Sequence, residues 1–308
     1  MQVLRFPFQA MAATNEVVLA AADAATARAH ASVAIDEVAR IERKYSRYRA
    51  DSIVSRINAG AGGRDAVACD DETWSLFEHA HALYEHSGGL FDITSGVLRR
   101  VWDFKAAQLP DEAALAALLP LIDWPRVQRH ERSVRLPLPG MEIDFGGFGK
   151  EYAADRAGAL LAQRGVAHGY VNLAGDMRVI GPRPDGQPWR IGIQHPRRRG
   201  ELVAHLPVAQ GGLATSGDYE RFFEADGRRY CHVLNPRSGW PVSYWQSISV
   251  LAPLTVMAGN CSTIAMLMEA QGLAFLEAAG VSYLAIDATG TMHMKSVEPT
   301  ATRIAASA

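Results

Sequence analysis

Cysteine is scarce in this chain of 308 residues: Cys69, Cys231 and Cys261 are the three present, far apart and odd in number. Neither a disulfide framework nor a zinc-ligand spacing can be built from them. No excess charge of either sign is present, with 31 Lys and Arg against 33 Asp and Glu and a net charge of −2. That balance argues against nucleic acid as the main partner, because backbone phosphates demand a basic surface. The densest basic run, Arg197-Arg198-Arg199, reads as a solvated loop. Long apolar runs are missing as well. No stretch approaches the roughly 18 apolar residues of a membrane helix, and Met1 to Pro7 lacks a basic segment followed by an apolar one. The expectation is a protein without a membrane span, soluble in the compartment where it is made. Neither GxGxxG nor the P-loop pattern occurs in the glycine-rich stretch described next.

What is present is organised around Met141 to Asp155. The segment reads as a short strand over Met141–Ile143, an acid (Asp144), three glycines (Gly146, Gly147, Gly149), and a helix opened by Lys150. Its apolar positions Ala153, Ala157, Leu160 and Leu161 fall at helical spacing, and Gly165 supplies a stop. Glycines let a ligand approach the backbone closely, and a helix start offers free N–H groups and positive potential. A lysine adds a point charge suited to phosphate.

In chain order, Asn15–Ala22 reads as a buried strand. Ala31, Ile35, Val38, Ile41 and Tyr45 then mark an amphipathic helix. A second helix follows Asp70-Asp71 with Trp74, Phe77, His81 and Tyr84 on one face, and Gly88-Gly89 ends it. His79 and His81 point to different sides of that helix, so His79, His81 and His86 read as a helical surface and not a metal cluster. A short alanine-rich helix starts at Pro110-Asp111-Glu112 and stops at Pro120, and Trp124–Leu138 reads as hairpin strands. Beyond Gly165 come strands near 169–173, 177–180, 189–194, 202–208, 211–216 and 230–234. A strand at 247–251 leads into a buried helix over Met257–Ala270 with a Gly272 stop. A short helix to Gly280, strands Tyr283–Asp287 and Met292–Ser296, and a frayed tail, Ala301–Ala308, close the chain. Helices and strands interleave without regular βαβ repetition, which favours the α+β class. The expected organisation is one domain of two interleaved lobes over residues 1–300, followed by that tail.

These turns together resemble the FAD:protein FMN transferases, the ApbE family, from about Phe8 to Met268. Met11–Thr14 resembles its opening Met-Gly-Thr, and Tyr45–Tyr48 with Asp51-Ser52 and Asn58 its Ser-x-Tyr … Ser … Asn segment. Gly89–Thr94 with Trp102 matches Gly-x-Phe-Asp-x-Thr … Trp. Asp144–Asp155 matches the glycine-and-lysine motif, with Glu151 in place of a glycine. Asn172–Asp176 resembles Asn-x-Gly-Gly-Asp, Ala214–Arg221 reproduces Ala-Thr-Ser-Gly-Asp-Tyr-Glu-Arg, and His232–Gly239 matches His-Ile-Leu-Asp-Pro-x-Thr-Gly. The late helix departs most: in the family an Asp and a Thr bind magnesium there, and this chain has Thr263 but Gly259 where the Asp would stand. Loss of a carboxylate removes a hard oxygen ligand. Asn260 is adjacent, yet one residue along a helix lies about 100° around its axis. The metal site implied is weaker, completed by water or FAD phosphate, or absent.

The resemblance implies an ApbE-like fold of mixed sheets and packed helices with an FAD cleft between lobes. It also implies a reaction: FMN passes from FAD to a Thr or Ser hydroxyl of an acceptor flavoprotein, and AMP leaves. Such phosphoryl transfer needs an activated hydroxyl, charge neutralisation on the pyrophosphate and in-line geometry. His232 suits the first task as general base, since an imidazole of pKa ~6.5 accepts a proton near neutral pH. Lys150 and the glycine turn suit the second. Carried over from the family are Met11, Tyr48, Leu90, Phe91, Asp92, Asp144 and Val233 around FAD, with the Gly147 carbonyl and Thr263 on Mg2+. The acceptor would carry a Ser/Thr-Gly-Ala-Ser/Thr target. Many relatives are exported lipoproteins; without a signal segment or lipobox cysteine, the compartment expected here is the cytoplasm. Two alternatives follow from Gly259: a non-catalytic FAD-binding or flavin-delivery protein, and a magnesium-dependent FAD pyrophosphatase.

Overall fold

The structure, a computed structural model, describes residues 1–296; the expected tail and the last residues of the expected domain lie outside them. Two strands open the chain, β1 (Gln2–Ala10) and β2 (Ala13–Ala21), paired antiparallel through a two-residue loop. Met11 and Ala12 in that loop have φ of 53° and 57°, the left-handed pair of a type I′ hairpin. The first strand has no counterpart in the sequence reading. Pro7 lies inside it, which is tolerated because β1 is an edge strand.

The helical part follows: α1 (Ala24–Tyr45), α2 (Ile53–Ala59), the two-residue strand β3 (Val67–Ala68), α3 (Asp71–His86), a 3-10 helix over Ile93–Arg100, and α4 (Glu112–Leu118). Strands β4 (Gln128–His130) and β5 (Ser133–Arg135) form a small sheet with β3. Asp70 caps α3 and Asp111 caps α4, each accepting from a backbone N–H three residues on. The strand expected over Met141–Ile143 does not form. That segment is buried and extended, held by Asn58, whose amide donates to the Ile143 carbonyl (3.0 Å) and accepts from its N–H (2.8 Å). A side chain has taken the place of a neighbouring strand.

After α5 (Gly149–Gln163) the chain turns to strands: β6 (Gly169–Leu173), β7 (Asp176–Gly181), β8 (Trp189–Gln194), β9 (Leu202–Val208), β10 (Gly211–Gly217), β11 (Phe222–Ala225), β12 (Arg228–Cys231) and β13 (Trp245–Ala252). Helices α6 (Thr255–Leu267) and α7 (Gly272–Ala279) precede β14 (Ser282–Asp287) and β15 (Met292–Lys295). Gly272, expected as a stop, is instead the first residue of α7, because a short 3-10 turn over Glu269–Gln271 has already ended the preceding helix.

The main sheet has eight strands in the order β1-β2-β6-β7-β10-β13-β14-β15, each pair antiparallel. Residues alternate between its faces. Val17 and Leu19 join the larger core with α1, α5 and α6, whereas Val18 points to the other face, where the β8–β9 hairpin covers Tyr170, Val179 and Leu213. Since β2 pairs directly with β6, everything from α1 through α5 is inserted between two adjacent strands. A third cluster is aromatic. Trp102 packs among Phe104, Phe223, Tyr230 and Trp240, and its indole N–H donates to the Gly239 carbonyl at 2.8 Å. This cluster ties the 3-10 helix to the β11–β12 hairpin, and so brings Arg99 toward the segment carrying Arg221 and His232.

Candidate functional site

The glycine turn begins at Asp144, whose backbone N–H donates to the Ile93 carbonyl. Its Oδ1 accepts from the Gly146 N–H at 2.8 Å, an Asx turn that bends the chain into α5. Its other oxygen faces Arg47 (3.3 Å) and Arg99 (3.5 Å). Phe148 precedes α5 and offers no side-chain cap, so the first N–H groups of that helix are left to other partners. Gly147 packs tightly on Phe91: a Cβ there would lie 2.8 Å from Phe91 Cζ, so the ring or the turn would have to shift.

Lys150, in the first turn of α5, forms an ion pair with Asp176 at 2.5 Å. Asp176 opens β7 directly after Ala174 and Gly175, both with positive φ, and is almost wholly buried. Burial opposes the charge on Lys150, but Asp176 and Glu151 outweigh it and its pKa is raised. Burial raises the pKa of Asp176, against the pull of Lys150. About a third of the Lys150 side chain stays exposed, so the ammonium is tethered and still open on one side.

His232 follows β12 and is half-buried. Its Nδ1 is shut from solvent and has no hydrogen-bond partner. Burial first, then the positive charges of Arg221 and Arg99 with a further contribution from Lys150, hold the imidazole down at about 3. Three cations from three separate segments therefore lie near enough to act on this imidazole. Arg221 feels Arg99 as a like charge and Asp144 as a favourable one; burial and the Arg99 repulsion lower its pKa. Two of these cations already face carboxylates, Lys150 at Asp176 and Arg99 at Asp144, and together the three keep the region around His232 positive.

The α5–α6 joint lies beside this group. Asp155 of α5 accepts from the Thr255 and Val256 N–H groups, each at 2.9 Å, and so caps α6 from outside, which has no cap of its own. Glu151, one turn earlier, is 7% exposed, and its Oε2 has no partner. Burial and the charge of Asp176 push this carboxyl up to about 8. It faces Gly259, where a Cβ would lie 2.6 Å from Glu151 Oε1. Thr263 shares a hydroxyl pair with Ser216 at 2.9 Å; Ser216 also meets Ser262 (2.8 Å), which donates to the Gly259 carbonyl. Asn260 turns away toward α3 and meets His79 Nε2 at 2.8 Å. His81 accepts from the Trp124 indole through Nδ1 at 3.3 Å. Among the described residues, no three His, Cys, Asp or Glu side chains gather as a metal site.

The other residues singled out from the sequence take different positions. Tyr48 is 80% exposed beside Arg47, a ring free to meet a ligand. Met11 sits in the β1–β2 turn, its N–H donating to Glu42 at 2.8 Å. Leu90 and Val233 are half-buried against the main core. Phe91 is buried and stacks on Phe148. Asp92 is buried too, its carboxylate accepting from Thr94 N–H and hydroxyl and from Trp124 N–H, so it caps the 3-10 helix. Sequence reasoning assigned no role to Arg99, Arg221 or Asp176. The last two lie inside quoted motifs, which was the one signal available for them; Arg99 lies in none.

A family model described as "ApbE family" matches residues 11–285. An FAD:protein FMN transferase of Klebsiella pneumoniae (strain 342) is 36% identical over 199 residues, which is 63% of this chain and 61% of that protein. A second FAD:protein FMN transferase of the same strain is 30% identical over 263 residues, 81% of this chain and 72% of that protein. Among solved structures, the ApbE protein of Thermotoga maritima superposes with a TM-score of 0.88 at 28% identity, covering 96% of this chain and 97% of that one. The apo flavinyl transferase ApbE of Pseudomonas stutzeri superposes at 0.82 and 28%, covering 96% and 95%.

Proposed function

The chain belongs to the ApbE family, and from that premise we propose that it transfers FMN from FAD to a Thr or Ser hydroxyl of an acceptor flavoprotein, releasing AMP. The observation that carries the reading is one basic neighbourhood built from separate segments: Lys150 tethered to Asp176, Arg99 facing Asp144, and Arg221 bonded through its carbonyl to the His232 N–H, all three cations acting on the His232 imidazole. A dinucleotide pyrophosphate is the anion that both neutralises those cations and needs a proton acceptor beside it.

The acceptor hydroxyl oxygen bonds to the FMN phosphorus in line as the bond to the AMP oxygen breaks. His232 takes the hydroxyl proton, and the departing AMP carries away the electron pair of the broken bond. Without substrate, burial first and then the nearby cations make His232 a poor base. Pyrophosphate placed among them offsets the cationic share of that lowering and raises the imidazole, while the share due to burial remains. The base thus gains strength when FAD is in place. Lys150 and Arg221 hold the charge that develops on the phosphate oxygens. Tyr48 offers a ring for stacking and Asp144 a hydrogen-bond acceptor; Met11, Leu90 and Val233 line the nucleotide, with Phe91 and Asp92 framing the wall behind. The acceptor segment is of the Ser/Thr-Gly-Ala-Ser/Thr type.

Magnesium, when bound, supplies charge neutralisation on the pyrophosphate. The donors present suit a hard cation, since the Thr263 hydroxyl and the Gly147 carbonyl are both oxygens and a buried carboxyl oxygen of Glu151, against Gly259, stands unpartnered. Thr263 and Gly147 would hold the ion, with no side chain from residue 259. Incubation with FAD, Mg2+ and an acceptor domain tests the reading by intact mass. Addition of an FMN moiety with equal AMP release is expected. FAD bound without any mass gain overturns it, and AMP released without an acceptor indicates hydrolysis instead.

A further inference from the structure

We infer that Glu151 is the carboxylate ligand of the divalent cation in this chain, delivered from α5 across the helix joint into the space that Gly259 leaves open on α6. The inference rests on the transfer reading only for why a metal is required.

The register between the two helices carries the argument. Asp155 bonds the backbone of Thr255 and Val256. Four residues back on α5 and four forward on α6, Glu151 faces Gly259. These steps run in opposite directions, as in any antiparallel helix pair; one more turn of α6 leads to Thr263, and the glycine turn just before α5 carries Gly147, the two oxygen donors already named. Each step is about 6 Å along the helix axis. Side chains on a helix lean toward its N-terminus, so the Glu151 carboxylate leans toward the Gly147–Thr263 level.

Three further observations agree. Residue 259 cannot hold a side chain while Glu151 is where it is, because a Cβ would meet Oε1 at 2.6 Å and Cγ at 2.6 Å. One carboxylate can occupy that space, from either helix but not from both. Glu151 is 7% exposed and its Oε2 lacks any partner, although a buried carboxyl oxygen without one is costly. The neighbouring ammonium does not meet that need, since Lys150 is bonded to Asp176. Asn260, the other candidate on α6, is engaged with His79.

The test is Mn2+ binding, read by electron paramagnetic resonance with FAD present in every arm and the FAD–Mn2+ background subtracted. The parent should bind one ion per chain. Glu151→Gln should weaken binding at least about ten-fold, and the exchanged pair Glu151→Gly with Gly259→Asp should bind within a few-fold of the parent. Electron–nuclear double resonance on the unsubstituted protein labelled with 13C-carboxyl glutamate guards against a variant that fails to fold; a 13C coupling to bound Mn2+ is expected. A parent that binds no Mn2+, a Glu151→Gln variant that binds as tightly as the parent, or bound Mn2+ without 13C coupling overturns the inference. In those cases Gly259 serves only to make room for a packed glutamic acid. Failure of FMN transfer while Glu151-dependent Mn2+ binding persists overturns the functional reading alone; transfer by a protein whose Mn2+ ignores Glu151 overturns this inference alone.

Discussion

Lys150 and Asp176 meet at 2.5 Å between the first turn of α5 and the first residue of β7, so the lysine offered to a phosphate is one already fixed in place. Anchoring removes most of the side-chain freedom that a surface lysine would lose on binding. It also makes the lysine structural. Lys150→Met strands a buried Asp176, and we expect a loss of about 2–3 kcal/mol, below the full cost of breaking a buried pair because Lys150 is partly exposed. Urea denaturation should show this loss. Lys150→Met combined with Asp176→Asn should cost less than the two single changes added together. Additive losses would mean that the pair is not coupled.

Gly147 is a packing requirement set by Phe91. Adding a methyl 2.8 Å from the ring edge forces the turn or the ring to move. Gly147→Ala should cost about 1–3 kcal/mol, and Phe91→Leu in the same chain should recover part of it. Thermal melting of the three variants checks both statements. The double variant should recover stability before it recovers activity, since the turn also presents the start of α5.

Periodicity made most of the helices and interior strands legible. The apolar spacing of Ala31, Val38, Ile41 and Tyr45 is the buried face of α1, and Gly165 ends α5 with a φ of 81°. What stayed hidden has physical causes. β1 contains a proline and leads into a turn without glycine, so both local signals pointed away from a hairpin. Met141–Ile143 has strand composition, but Asn58 meets its backbone groups from a helix, which no local pattern records. The motif residues Lys150 and His232 could be named from the sequence, whereas Arg99 became visible only once the Trp102 cluster placed it. Likewise Glu151 and Gly259 are two unremarkable substitutions more than a hundred positions apart, and only the helix joint makes them a single feature.

That joint depends on Asp155. Its carboxylate receives two N–H groups of α6 that nothing else caps, and it stands 3.7 Å from Arg178. Asp155→Ala should therefore destabilise by about 1–2 kcal/mol. Asp155→Asn should cost less, because the amide oxygen still accepts one bond. The same change should slacken the register that sets Glu151 against Gly259. Hydrogen exchange should show faster opening in the first turn of α6 and little change in β13; uniform acceleration would mean that the cap does not act locally.

His232 makes a prediction about protons. Its ordinary value is near 6.5 and the folded value is about 3, so between these limits the unfolded chain binds a proton that the native protein refuses. Stability from this group is whole above about pH 6.5 and is lost as pH falls toward 3. His232→Gln should remove that part of the acid slope, seen as a converging difference between the two proteins in denaturant titrations from pH 7 to 4.5. FAD should act in the opposite sense, because its pyrophosphate offsets Arg99, Arg221 and Lys150 and lifts the imidazole by their share of the lowering, the share due to burial remaining. Binding near pH 6 should then take up a proton, measured by calorimetry in buffers of different ionisation enthalpy, and His232→Gln should abolish the uptake while FAD still binds. The same variant should lose about 10²–10⁴ in the rate of transfer. Proton uptake that persists without His232 would assign the titration to another group and leave the ring a packing role only.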